Sequence, residues 1–198
     1  MNKIKTVKLI APLVALGLAL TACGGDESDT GAASADHNDQ DVTFATEMIP
    51  HHAQAVQMSE MALANAENQE VRDLAEDISA AQEPEIEQMS SWLEAWGEDV
   101  PDTGSGDMGG MDHGGMDGME DMPGMMSSDE MDELESASGS TFDEMFLSMM
   151  IEHHEGAIEM AQTEQADGEN PDAIDLAETI EETQTAEIET MNELLGSQ

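Results

Sequence analysis

Apolar residues recur every three or four positions in four stretches of the chain, which is the spacing of an amphipathic α-helix. The stretches cover residues 41–66, 70–97, 141–166 and 171–195, and no alternating β-branched run of useful length lies between them. We therefore predict an all-α fold in which each neighbouring pair of helices forms an αα-hairpin. Asp41 is the predicted N-cap of the first helix.

The two hairpins are copies of one sequence unit. A shift of 102 positions places residues 41–93 on residues 143–195 without a gap, and 22 of the 53 aligned pairs are identical. Two hairpins that each carry one apolar stripe bury those stripes best against each other, which predicts a four-helix bundle. The connection over residues 98–140 is long for a bundle loop, so we expect it to be functional or disordered.

Each unit carries two adjacent histidines within its apolar pattern. On a helical wheel both imidazoles of each pair fall in the core-facing arc, and methionines lie about one turn before them. In the first unit Met48 precedes His51 and His52. In the second unit Met149 and Met150 precede His153 and His154. Thioethers and neutral imidazoles form a ligand set that suits Cu(I), Ag(I) or Cu(II). Because adjacent helical residues do not face each other, we do not expect one pair to hold one ion.

The alternative interpretation of these histidines is a polar core without metal. Buried polar side chains are normally hydrogen-bonded. The other polar residues that interrupt the apolar stripes are the candidate partners: Gln82, Glu85, Gln184 and Glu187.

The connection between the units is rich in methionine, with eight among residues 108–131. Glycine and proline disfavour a stable helix there, so we expect exposed thioethers that can wrap a soft cation. The spacing resembles the methionine-rich copper and silver segments of bacterial periplasmic copper-handling proteins. The predicted ligands are Met108, Met111, His113, Met116, Met119, Met122, Met125 and Met126. The alternatives are a low-complexity acidic linker or an oxidant-scavenging tract.

The N-terminal segment predicts export and a lipid anchor. Residues 1–22 combine lysines, an apolar run and small residues before Cys23, which is the pattern of a bacterial lipoprotein signal peptide. Lipidation of Cys23 would hold the protein outside the cytoplasm on the bacterial cell membrane, through a polar tether over residues 23–40. Cys23 is the single cysteine of the sequence, so the mature fold has no disulfide and no thiolate metal site.

The charge excludes some functions. The formal net charge of the sequence is −42. From Cys23 onward the chain has one basic residue, Arg72, and 46 acidic residues, so the net charge of this part is 1 − 46 = −45. Such a surface repels nucleic acid and attracts cations. The sequence also has no Ser/His/Asp or Cys/His catalytic arrangement and no phosphate-binding glycine loop. We therefore expect neither a nucleic-acid-binding protein nor an enzyme.

Several motifs resemble the family named domain of unknown function 305. They are "DVTFATEMIPHHAQAVQM" and "FDEMFLSMMIEHHEGAIEMA", followed by "LAEDISAAQEPEIEQMSSWL" and "LAETIEETQTAEIETMNELL". The resemblance covers residues 41–97 and 141–195. It implies a ferritin-like four-helix bundle, often on secreted proteins or lipoproteins, with some members associated with copper binding and resistance. The residues that match the family motifs are Met48, His51, His52, Met58, Met150, His153, His154 and Met160. Pro50 departs from the pattern of the second unit.

These observations favour an extracytoplasmic lipoprotein that binds Cu(I) or Ag(I) for sequestration, resistance or delivery and is not an enzyme. One alternative is a metal-free structural or stress-related bundle. Another is a ferritin-like di-iron or di-manganese oxidase, which needs Glu-x-x-His motifs on two helices. Neither histidine pair has a glutamate three residues before its first histidine.

Overall fold

The bundle is seen in a computed structural model that describes residues 36–103 and 122–197. Within these ranges there is no strand, and the five helices are α1 (Asp39–Asn65), α2 (Gln69–Trp96), α3 (Ser128–Ser136), α4 (Gly139–Asp167) and α5 (Pro171–Ser197). Helix α1 packs on α2, α4 packs on α5, and α1 also packs on α4. The predicted all-α bundle of two hairpins is confirmed. In the part of the chain so described, no helix is long and apolar enough to cross a membrane.

Helix α1 begins with a capping box. The Oδ1 of Asn38 accepts the backbone N–H groups of Gln40 and Asp41, at 2.7 and 3.1 Å. The carboxylate of Asp41 in turn accepts the N–H of Asn38, at 2.6 Å. The prediction that Asp41 is the N-cap was therefore wrong, because Asn38 takes that position and Asp41 is the third helical residue.

Two aspartates, one from each unit, join the hairpins. Asp41 accepts the backbone N–H groups of residues 169 and 170 in the turn between α4 and α5, at 3.1 and 2.8 Å. Its counterpart Asp143 accepts the N–H groups of residues 67 and 68 in the turn between α1 and α2, at 3.0 and 2.9 Å. Both aspartates are buried. Each hairpin thus satisfies the turn of the other, where backbone donors would otherwise be unpaired.

These reciprocal bonds fix the register of α1 and α4. The beginning of α1 lies at the end of α4 and the beginning of α4 lies at the end of α1, so the two helices are antiparallel. Because the units are related by a shift of 102 residues, the pair has a pseudo-twofold axis near its middle. The middle of each helix, ten residues beyond each aspartate, carries the histidine pair.

Two apolar clusters fill the bundle. One contains Phe142 and Phe146, whose stacked rings have centroids 6.1 Å apart, and the other contains Phe44. Flexible thioethers occupy much of the remaining space, as is common where aromatic residues are few. Four methionines of the repeated pattern are buried there, namely Met58, Met89, Met160 and Met191.

The end of the connection is folded, contrary to the expectation for residues 108–131. Helix α3 begins at Ser128, and Ser127 caps it together with Glu130 in a capping box. The side chains of Met126 and Met131 are buried in the same apolar cluster as Phe142. Among the described residues of the connection, 122–127 are not helical and the helix begins at Ser128, and Met126 contributes to the core rather than being exposed.

A buried carboxyl group lies beside one of the two joining aspartates. Glu164 is fully buried, and both of its carboxyl oxygens lack a hydrogen-bond donor among the described residues. Its carboxyl group lies beside that of Asp41, and a protonated Glu164 can donate to the Asp41 carboxylate. Burial, followed by the contact with Asp41, raises the pKa of Glu164 to about 8. The second joining aspartate has no such neighbour, because Ala62 occupies the position that corresponds to Glu164.

We expect Glu164 to make the stability fall as the pH rises from about 4.5 to about 8. Its folded pKa is raised, so its contribution is fully present below the unfolded pKa of about 4.5 and is lost as pH rises through about 8. The loss is at most about 1.4 kcal/mol per pH unit. Glu164→Gln keeps a donor toward Asp41 without titrating.

The free energy of unfolding, measured by urea titration at pH 5 and pH 9, tests this expectation. Relative to the wild type, Glu164→Gln should be more stable at pH 9 than at pH 5. Glu159→Gln, at an exposed position of the same helix, is the control and should show no such change. Equal behaviour of the two variants would contradict the raised pKa of Glu164.

Candidate metal centre

The histidines of the two units meet at the middle of α1 and α4. The imidazole rings of His51 and His153 have centroids 3.8 Å apart and planes inclined by 38°. The ring of His154 lies 6.3 Å from that of His153. These rings and that of His52 are fully buried. This pairing between units could not be predicted from the sequence, because it depends on the antiparallel register of the two helices.

Two of the four histidines are held by carboxylates from the second helix of their own hairpin. The Nε2 of His52 lies 2.7 Å from Oε2 of Glu85, and the Nε2 of His154 lies 2.7 Å from Oε2 of Glu187. Since a carboxylate accepts hydrogen bonds, each of these Nε2 atoms carries a proton. The polar-core interpretation was therefore correct about the two glutamates.

His51 has a different partner from the connection between the units. Its Nε2 lies 3.1 Å from the carbonyl oxygen of Pro123, which can only accept, so this Nε2 also carries a proton. His153 has no hydrogen-bond partner at either ring nitrogen within the described ranges. The pseudo-symmetry of the histidines is thus broken by the connection.

Several imidazole nitrogens are left free in the interior. The Nδ1 atoms of all four histidines lack a hydrogen-bond partner within residues 36–103 and 122–197. In a neutral imidazole with the proton on Nε2, Nδ1 carries a lone pair directed away from that proton. Three histidines are therefore held in one tautomer with an unused, buried lone pair.

The neighbouring imidazoles of His51 and His153 are neutral at pH 7. Burial, followed by the nearby imidazole of His52, lowers the pKa of His51 to about 3. Burial and the neighbouring imidazoles also hold the pKa of His153 well below its usual value. Neutral imidazole is the form that binds metal ions, so protons do not compete for these nitrogens at neutral pH.

The predicted methionine ligands are distributed over several places. Met48 and Met150 are buried one helical turn before His52 and His154, and they belong to different apolar clusters. Met149 is half-buried and lines a cleft between α3 and α4 together with three glutamates.

The methionine-rich connection is only partly described. Met122 and Met125 are half-buried and Met126 is buried. The remaining predicted ligands lie outside the described residues: Cys23, Met108, Met111, His113, Met116 and Met119.

The candidate metal-binding groups near the middle of the bundle are imidazoles and thioethers. In the ranges 36–103 and 122–197, no three His, Cys, Asp or Glu side chains converge as a ready metal site. The arrangement instead offers imidazole nitrogens in pairs, with thioether sulfurs one turn away. Such donor sets suit soft ions that accept few ligands.

Comparisons with known proteins agree with this architecture. The family profile described as "Domain of unknown function (DUF305)" matches residues 41–195. A DUF305 protein from Streptomyces coelicolor, presumed to be secreted, is 32% identical with a TM-score of 0.67, over 84% of this chain and 95% of that chain. A DUF305 fragment from Deinococcus radiodurans is 32% identical with a TM-score of 0.68, over 81% of this chain and 98% of the fragment.

A third similar structure is CopM, which has been solved with metal. Its Cu(II)-bound form is 33% identical with a TM-score of 0.64, over 79% of this chain and 96% of that chain. CopM structures in Cu(I)-bound and Ag-bound forms are also similar to this chain. A comparison with curated proteins finds no match.

We expect His51, His52 and His154 to carry their ring proton on Nε2 in the metal-free protein, because each Nε2 faces an acceptor. Long-range ¹H–¹⁵N correlation spectra of protein labelled with ¹⁵N-histidine, recorded at pH 7, measure the tautomer directly. Each of the three rings should show a protonated Nε2 and an unprotonated Nδ1. A protonated Nδ1 on any of them would show that its lone pair is not available there.

Proposed function

The chain belongs to the DUF305 family, and we propose that it binds soft metal ions, Cu(I) and Ag(I) before Cu(II), outside the cytoplasm. The observation that carries the proposal is the set of buried imidazoles whose Nδ1 lone pairs have no partner. A buried polar atom without a partner costs about 1–3 kcal/mol. A metal ion coordinated at Nδ1 would remove that cost, which a purely structural role leaves unexplained.

The glutamates support this use of the histidines. Metal-binding histidines commonly donate their other ring N–H to a carboxylate, which fixes the tautomer and increases the basicity of the ligand nitrogen. Glu85 and Glu187 stand in that relation to His52 and His154. The same arrangement in both units favours a ligand role over an accident of packing.

The donor chemistry favours copper and silver over harder ions. Neutral imidazole and thioether suit Cu(I), Ag(I) and Cu(II), whereas Mg²⁺ and Ca²⁺ prefer oxygen ligands. Met48 and Met150 are the thioethers one turn from His52 and His154. CopM, a similar protein solved with Cu(I), Cu(II) and silver, supports the same class of ion.

A second binding site is proposed for the methionine-rich connection. Its thioethers and His113 would capture a soft ion, and the aspartates among them would offset its charge. Sequestration, resistance and delivery of copper all require a protein that binds without transforming its cargo, so we propose no enzymatic activity. The methionines assigned to this site are Met108, Met111, Met116, Met119, Met122 and Met125.

The location is part of the proposal. Lipidation of Cys23 would hold the mature protein on the outer side of the bacterial cell membrane, and the acidic surface excludes nucleic acid as a partner. The similarity to a DUF305 protein that is presumed to be secreted supports export. No protein partner is assigned.

A metal-free bundle is the second candidate function. The hydrogen bonds from His52 and His154 to glutamates favour it, since they satisfy half of each imidazole without metal. It gives no account of the free Nδ1 atoms or of the methionine-rich connection. Metal binding therefore explains more of the described chain.

The test is an anaerobic Cu(I) titration against a competing chelator. The protein is the mature chain, residues 23–198, with Cys23→Ser so that no thiol competes for copper. The wild-type bundle should bind Cu(I), and His153→Phe, which keeps a ring but removes both nitrogens, should lose that bundle site. The double variant Glu85→Gln with Glu187→Gln should weaken the site by about 10-fold to 100-fold.

A matched control changes Glu87 and Glu189 to glutamine, because these exposed residues lie two positions further along the same helices. Its Cu(I) affinity should equal that of the wild type. Changing the four methionines 108, 111, 116 and 119 to leucine should lower the stoichiometry but leave the bundle site intact. Absence of Cu(I) binding to every protein would contradict the proposal and favour the metal-free bundle.

A further inference from the structure

The two units differ where the connection packs against the bundle. Gln54 in the first unit corresponds to Gly156 in the second, and both lie three residues after the first histidine of their pair. The connection segment Met122–Ser127, here called the strap, passes over this region. The two units therefore differ at this position because the strap packs against it.

Gln54 holds the strap by its main chain. Its Nε2 donates to the carbonyl oxygen of Met126 at 2.8 Å, and its Oε1 accepts the N–H of Met126 at 2.8 Å. The side chain is buried, so these two bonds are protected from water. A buried amide that pairs with both main-chain groups of one residue fixes the position of that residue.

Glycine at position 156 permits the close approach of the strap. A Cβ at this position would lie 2.1 Å from the carbonyl oxygen of Pro123. Gly124 faces the same helix with a φ of +73°, and a Cβ there would lie 2.6 Å from the carbonyl oxygen of Glu152. The backbones of the strap and α4 thus touch at two glycines, where no side chain fits.

The consequence is that the strap contacts only one of the two neighbouring histidines, His51 and not His153. The Pro123 carbonyl accepts from Nε2 of His51, whereas His153 has no such partner within the described part of the chain. Glu85 and Glu187 perform this task for His52 and His154 from within their own hairpins. His51 is held by the strap instead.

We propose that the strap is a positioning element for the metal centre, in which Gln54 and Gly156 seat the Pro123 carbonyl so that it fixes the tautomer of His51. His51 then presents a fixed Nδ1 beside the ring of His153. This inference rests on the proposed metal binding by the histidines. It also links that site to the methionine-rich connection, since the strap carries Met122 and Met125.

The test measures the tautomer of His51 and the Cu(I) affinity separately, on the mature chain with Cys23→Ser. In Gln54→Ala the strap loses both side-chain bonds, so the ¹⁵N signals of His51 should move toward a mixture of tautomers. Those of His52 and His154 should not move, because their glutamates remain. Gly156→Ala should have the same effect on His51 by displacing Pro123. Gln88→Ala, at an exposed position of α2, is the control.

The Cu(I) affinity of the bundle should fall by about tenfold in Gln54→Ala, as expected when a group that orients a ligand is removed. An unchanged tautomer of His51 in folded Gln54→Ala would overturn the inference, whether or not Gly156→Ala folds. A changed tautomer with unchanged Cu(I) affinity would also overturn the role in metal binding. If the wild-type protein binds no Cu(I), the proposed function is refuted. A changed tautomer of His51 in Gln54→Ala would in that case still establish that the strap positions His51.

Discussion

The reciprocal bonds of Asp41 and Asp143 are the constraint on which the rest of the bundle depends. Each carboxylate satisfies the turn of the other hairpin, which sets α1 and α4 antiparallel in one register. In that register the middles of the two helices coincide near the pseudo-twofold axis, and His51 meets His153. These two imidazoles are neutral because this packing excludes water from them. A capping interaction at the ends of the bundle thus determines the chemistry at its centre.

The sequence repeat explains why histidines from both units meet at the middle of the bundle. Positions at which the two units differ in sequence explain the structural differences between the two halves. Glu164 lies beside Asp41, whereas Ala62 occupies the corresponding place near Asp143, so only the Asp41 end of the bundle places a carboxyl group with a raised pKa beside its joining aspartate. Gln54 and Gly156 differ because the strap packs across both helices on one face. Duplicated sequence units keep what the common fold requires and diverge where a third segment must be accommodated.

The sequence predicted the four long helices because their apolar period is strong and occurs twice. It could not predict the contact of His51 with His153, since that pairing requires the relative direction of two helices about 100 residues apart in sequence. Helix α3 was missed although Ser127 and Glu130 have capping-box spacing before Met131 and Leu134. The glycines and the proline that precede this segment obscured the signal. Local patterns therefore predicted the helices, whereas the donor geometry depended on long-range register.

We propose that imidazole nitrogens of the bundle bind copper. X-ray absorption spectroscopy of the complex with one equivalent of Cu(I) tests this proposal, because it identifies the ligand atoms. The measurement should use the variant in which methionines 108, 111, 116 and 119 are leucine, so that copper reports on the bundle. The spectrum should show the multiple-scattering signature of imidazole together with sulfur ligands. The imidazole signature should be lost in His153→Phe. A copper shell of sulfur alone, unchanged by His153→Phe, would contradict it.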